Sequence, residues 1–336
     1  MKNKGLLLFP VLLLVAHIDE VLAVQSPMID KTDTCYQGEF SNLESYLSRP
    51  ITRTAYDDPV QFERARVRYT WWRDNFDCDW ISYSVDGLEV NGFVVKPTGD
   101  SPPEGWPVVI FNHGGNADIG SVRFEYIAAR LFPIVEAGFV VMGTQYRGAK
   151  IDGADSPDRL RDEFGGSDVN DVLALISIAD SIPEADGSRI GMYGISRGGM
   201  MSFLAARRTN RISTIVVQDT PTDLVRGLEF TPDMVRVFTK WIPDYEKNPH
   251  EALIQRSALY WLDELDPNMS VLILHGTADQ RVSAEQALVT ALKLQELRRQ
   301  YKLVIYPNAS HGLREYHQAV ETEIIAWFSS VLRKDY

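Results

Sequence analysis

The chain has 336 residues, of which 45% are hydrophobic and 24% charged, ordinary globular usage that excludes a fibrous or wholly disordered molecule. Its net charge of −12 opposes a sequence-independent grip on phosphate backbones, so nucleic acid is not an expected partner. The length fits one large catalytic domain with an N-terminal appendage.

Lys2 and Lys4 precede an apolar run from Gly5 to Ala16, and Val21-Leu22-Ala23 offers small residues for cleavage. This is the pattern of a secretory signal over residues 1–23, which predicts export to the periplasm or beyond the cell and a mature chain starting near Val24. A retained membrane anchor is the alternative, opposed by Asp19-Glu20, because a span needs about 20 apolar residues. Residues 24–79 read as an irregular, aromatic-rich arm packed on the catalytic domain, with Tyr69-Thr70-Trp71-Trp72 as its densest stretch. Cys35 and Cys78 both fall in the arm; a disulfide and two buried thiols are both open, since sequence supplies no Cα separation.

From Trp80 the pattern becomes regular. Trp80 to Val85 and Leu88 to Lys96 flank Asp86-Gly87, which predicts an antiparallel hairpin. Short apolar runs then alternate with helix-period stretches, the signature of a mostly parallel sheet covered on both faces. Strands are expected over Val108–His113, Phe139–Thr144, Ile190–Ile195, Thr214–Gln218, Val271–His275 and Leu303–Tyr306. Helices are expected over Ser121–Val135, Asp168–Ser181, Gly198–Arg208, Ser283–Arg299 and Tyr316–Leu332. Residues 220–268 break the alternation and gather Phe230, Phe238, Trp241, Tyr245, Tyr260 and Trp261. A connection this long predicts a small helical cap, whose aromatics either line a pocket or pack the cap onto the core.

Gly194-Ile195-Ser196-Arg197-Gly198 lies between an apolar strand and a helix start, the setting of a nucleophile elbow. A serine hydroxyl needs a base to take its proton, and that base needs an acceptor to orient it. Of six histidines, His311 follows the last apolar strand, at the same carboxyl edge of the sheet from which Ser196 emerges. Asp279 follows the preceding strand, which gives the α/β-hydrolase order of nucleophile, acid and histidine. Asn112-His113-Gly114-Gly115 follows an early strand, so the N–H of Gly115 with that of Arg197 is the expected oxyanion hole. No His/Cys/Asp cluster has metal-ligand spacing, and neither a metal nor another cofactor is expected.

In order, the chain carries Asn112-His-Gly-Gly115, Gln145-Tyr-Arg-Gly148, Asp162-Glu-Phe-Gly-Gly166 with Asp168 and Asp171, Gly194-Ile-Ser-Arg-Gly-Gly199, His275-Gly-Thr-Ala-Asp279 followed by Val282, and Ser310-His-Gly312. This set resembles the catalytic domain of the prolyl oligopeptidase family, in its dipeptidyl-peptidase and acylaminoacyl-peptidase branch. The resemblance covers residues 80–336 and implies an α/β-hydrolase domain that cleaves short peptides through an acyl-enzyme. The region before Trp80 is too short for the family's β-propeller, and Arg197 and His113 stand where family members often carry aromatic residues. A carboxylesterase using the same triad is the nearest rival, because esters and amides need the same nucleophile, base and hole. A non-catalytic binding protein on this scaffold is the second. Arg197 and Arg147 are expected in structural ion pairs with neighbouring acids.

Overall fold

The computed structural model describes residues 28–48, 59–116, 119–149 and 162–333; the expected signal at 1–23 lies outside them. Strands run over β1 (Ile29–Thr34), β2 (Phe76–Val85), β3 (Leu88–Pro97), β4 (Trp106–Asn112), β5 (Val140–Thr144), β6 (Ala185–Ile195), β7 (Ile212–Gln218), β8 (Ser270–Gly276) and β9 (Tyr301–Tyr306). Among the described residues they form one sheet, ordered β1-β2-β3-β5-β4-β6-β7-β8-β9. β5, β4, β6, β7, β8 and β9 pair in parallel, while β1, β2 and β3 pair antiparallel. The chain has the α/β-hydrolase fold.

The central parallel strands carry near-continuous apolar runs because helices cover both faces. All of β8 is buried, which explains the uninterrupted Val271-Leu-Ile-Leu274. One face packs against Val169–Ser181, Arg197–Ala206 and Ala284–Glu296, through residues such as Leu175, Phe203 and Leu294. The other packs against the helical stretch from Phe124 to Glu136 and against His317–Leu332, through Leu131, Phe132 and Phe328. The β2–β3 hairpin turns on Asp86 and Gly87, at φ 54° and 76°, the left-handed pair that a tight hairpin demands.

The arm is more ordered than its sequence suggests. β1 adds an edge strand to β2, and Pro59–Asn75 forms a helix. The helix escaped periodicity because its apolar residues are spread around it rather than along one stripe. Trp72 and Phe76 pack on Phe132, and Cys35 is disulfide-bonded to Cys78 with a Cα separation of 5.3 Å. A boundary at residue 80 therefore falls inside β2 of the common sheet.

The insertion at 220–268 is helical, with helices Leu224–Phe230, Met234–Trp241 and Pro249–Ile254 and short 3₁₀ turns at Tyr245–Lys247, Ala258–Tyr260 and Leu262–Glu264. Phe238, Trp241, Tyr245 and Trp261 are buried in the core layer, whereas Phe230 and Tyr260 are exposed. Packing, not pocket lining, accounts for most of this aromatic content.

Candidate active site

Five neighbouring strands deliver their carboxyl ends to one rim. β4 leads to His113-Gly114-Gly115, β6 to Ser196, β7 to Asp219, β8 to Asp279 and β9 to His311. Ser196 sits between β6 and the helix Arg197–Ala206 at φ 56° and ψ −125°, a strained conformation for any residue with a β-carbon. The turn closes only because its flanks are bare: a β-carbon on Gly198 would overlap the carbonyl of Asn112. Gly114 also lies against the serine, and a β-carbon there would come 3.2 Å from Ser196 Cβ. The glycine loop is thus packed directly on the hydroxyl-bearing residue. Arg197 occupies the first helical position, where an amide has no intrahelical acceptor.

Asp279 and His311 meet. His311 Nδ1 donates to Asp279 Oδ2 at 2.7 Å, leaving Nε2 for another partner. The other carboxylate oxygen accepts the N–H groups of Arg281 (2.7 Å) and Val282 (3.0 Å). Burial would push this carboxyl up, but the hydrogen bond and charge of His311, together with those two amides, hold it below the ordinary carboxylate value. Among the described residues no hydrogen bond closes Ser196 Oγ onto His311; such contacts commonly tighten only around a substrate.

The pattern of the prolyl oligopeptidase family matches residues 125–335. The chain belongs to that family. Its relatives include an uncharacterized peptidase, YuxL, of Bacillus subtilis (strain 168), 29% identical over 69% of this chain and 35% of that protein. The acylamino-acid-releasing enzyme of Mus musculus is 26% identical over 73% of this chain and 33% of its own length. The chain thus spans about a third of these two relatives, though a second Bacillus subtilis peptidase, YtmA, is covered over 84% at 25% identity. Among solved structures, an acylaminoacyl peptidase in complex with Z-Gly-Gly-Phe-chloromethyl ketone superposes with a TM-score of 0.66 at 22% identity, over 78% of this chain and 43% of that one.

As a prolyl oligopeptidase family chain, it has a rim residue that sequence reading missed. Asp219 follows β7 at φ 48° and is fully buried. Its carboxylate accepts the N–H of Gly276, on the way to Asp279, at 3.2 Å and the N–H of Gly312, beside His311, at 2.7 Å. Burial, and secondarily the charge of Asp279, push its carboxyl above the usual range against the pull of His275 and Gly312. The available signal was positional: every other strand of the parallel set from β4 to β9 is followed within a few residues by a motif the sequence singles out.

Folding also gathers Asp219, His275 and Asp279 into a buried group whose ligand-type atoms lie within 4.8 Å of one another, a cluster that sequence spacing did not announce. The carboxylate oxygens already face N–H donors, and His275 Nε2 donates to Val282 O at 3.0 Å, so the trio serves the His311 loop as a hydrogen-bonded support.

Arg197 and Arg147 are ion-paired. Arg197 is buried and bonds Asp162 at 2.8 and 2.9 Å, Asp168, and the carbonyl of Gly115 at 3.3 Å, tying the elbow to the glycine loop. Arg147 bonds Asp171 at 2.6 Å and Asp86 at 2.7 Å. His113, in the same layer, donates from Nδ1 to Gly114 O at 2.7 Å, and its ring lies 4.3 Å from that of Tyr146. Burial, reinforced by the Arg197 charge, lowers its pKa to about 4, which keeps it neutral and unsuited to act as the base.

Proposed function

We propose that the chain is a serine peptidase of prolyl-oligopeptidase type that cleaves short peptides through an acyl-enzyme on Ser196. The observation that carries this reading is the pairing of a strained serine at a strand–helix junction with a His311–Asp279 hydrogen bond of 2.7 Å on the same rim. In this mechanism His311 takes the serine proton at Nε2, and Asp279 fixes the tautomer and stabilises the imidazolium. The backbone N–H groups of Gly115 and Arg197 receive the developing oxyanion. His311 then returns its proton to the leaving amine, and water repeats the sequence on the acyl-enzyme. Two Bacillus subtilis relatives are named as peptidases and the Mus musculus relative as an acylamino-acid-releasing enzyme, which favours amide over ester substrates.

The test is a fluorophosphonate label followed by a substrate panel. Labelling of the native chain that disappears in Ser196→Ala supports the nucleophile. Turnover of short esters with no turnover of aminoacyl or Xaa-Pro anilides would replace peptidase with esterase.

We further propose that the protein is exported. The basic and apolar run at 2–16 and the small residues at 21–23 support this, as does the Cys35–Cys78 bridge, a bond that persists in oxidising compartments. Mass spectrometry of the protein from its native host should find Val24 at the amino terminus; an intact Met1 end contradicts cleavage.

A further inference from the structure

A cleft of about 430 Å³ opens beside His311, and its wall includes Ile195 as well as three arginines, Arg130, Arg281 and Arg314. Among the described residues no carboxylate lines it. That is a local reversal in a chain of net charge −12. Among the described residues none of the three guanidiniums is held in an ion pair, and Arg130 donates only to the carbonyl of Gly312, at 3.4 Å. Glu315, the acid next to Arg314, is turned onto Ser310, whose hydroxyl donates to it at 2.6 Å. Arg281 and Arg314 are exposed and Arg130 is half-buried, so the charges face the cleft's solvent rather than a structural partner. No residue of the helical insertion contributes to this wall.

Position decides which part of a substrate meets these charges. The base that activates Ser196 is also the acid that protonates the leaving group, so the leaving half of a substrate must lie on the His311 side. An arginine fork matches a carboxylate in shape and charge, and it keeps its charge at every working pH.

We propose that the cleft is a carboxylate subsite, and that preferred substrates carry a carboxylate on the leaving fragment, one residue beyond the scissile bond. This rests on the serine acyl-transfer reading and names its substrate class. The carboxylate has two sources: the free carboxyl terminus of a short peptide, or the side chain of an acidic residue just after the cleaved bond.

The experiment uses the full chain and three acyl-peptides differing only in the leaving residue: glycine with a free carboxylate, glycinamide, and aspartyl amide. The free acid is expected to exceed glycinamide by about tenfold to a hundredfold in kcat/KM, the range of a charged hydrogen bond. Raised salt should narrow that ratio. Aspartyl amide matching the free acid assigns the side-chain source; aspartyl amide matching glycinamide assigns the carboxyl terminus. Arg130→Gln, Arg281→Gln and Arg314→Gln, singly and together, should draw the ratio toward one, whereas Arg123→Gln outside the cleft should not. Equal turnover of acid and amide, or a ratio unmoved in the triple variant with its fold verified by circular dichroism, overturns the subsite. If no peptide is cleaved, acyl esters of glycolic acid and glycolamide repeat the comparison. Ester-only turnover then removes the peptidase reading, while the acid-to-amide ratio still decides the subsite.

Discussion

Asp219 accepts the backbone N–H of Gly312 at 2.7 Å and so anchors the residue that follows His311. The same carboxylate reaches Gly276, three positions before Asp279, so one buried side chain braces both loops of the His–Asp pair. Asp219→Ala should leave two amides without their acceptor and loosen the base. The expected result is a fall in kcat of about tenfold to a hundredfold with KM nearly unchanged, because a misplacement of about 1 Å carries that cost. Asp219→Asn retains one accepting oxygen and should fall between. A rise in KM alone would show that Asp219 acts on binding.

Ser196→Ala should abolish turnover, with a loss on the order of 10⁵–10⁶ in kcat. Asp279→Asn keeps the shape but reverses the donor logic at His311 Nδ1, for an expected loss of roughly 10⁴. Combining the two should add little to the first, because the residues act as one unit. Multiplying losses in steady-state assays would place Asp279 outside it.

His113 makes stability depend on acid. The ordinary histidine value is 6.5, whereas burial lowers the folded-state value to about 4. Between those values the unfolded chain binds the proton and the folded chain does not. Its contribution is therefore complete above pH 6.5 and lost as pH falls toward 4, by about 3 kcal/mol. His113→Asn can place an amide donor where Nδ1 faces Gly114 O but does not titrate, so urea midpoints measured from pH 7 to 4 should fall less steeply than those of the native chain. Parallel slopes would remove His113 as the cause.

Arg197 neutralises two buried acids, Asp162 and Asp168. Arg197→Ala should destabilise the fold by about 3–5 kcal/mol, because it leaves carboxylates buried without a partner. Arg197→Ala combined with Asp162→Asn and Asp168→Asn should recover part of that loss in thermal unfolding. A triple variant no better than the single would mean that the guanidinium's packing over Tyr146 and Phe164 dominates.

Reduction of Cys35–Cys78 releases a constraint between residues 43 apart in sequence, worth about 2–4 kcal/mol. Denaturant midpoints with and without dithiothreitol should separate accordingly, and Cys35→Ser with Cys78→Ser should match the reduced protein. Identical midpoints would show that the arm holds by its aromatic packing alone.

The parallel strands from β4 to β8 were legible because strands buried on both faces carry near-continuous apolar runs, as Val271–Leu274 of β8 does, and β2 and β3 were legible from the Asp86-Gly87 turn. Ser196, Asp279 and His311 stood out because each follows such a strand within a few residues. What stayed hidden lacks a local signature. The helix Pro59–Asn75 has no single apolar stripe, and β1 alternates little because it is exposed at five of its six residues. Asp219 has no motif around it, and its importance comes from amides 57 and 93 positions away. The three arginines of the cleft come from separate segments that only the completed sheet brings around His311.

β1 carries one further consequence. Among the described residues it is the terminal strand, whose outer row of backbone donors and acceptors has no partner strand, the kind of border onto which a foreign strand could add. It bears Asp30, Lys31 and Asp33 along that border, with Lys31 bridged to Glu89 at 3.0 Å. Charged side chains there repel a docking strand, and the bridge to Cys78 keeps the guard stitched in place. The arm is thus the selvedge of the described sheet, a charged hem along the border where another strand would dock.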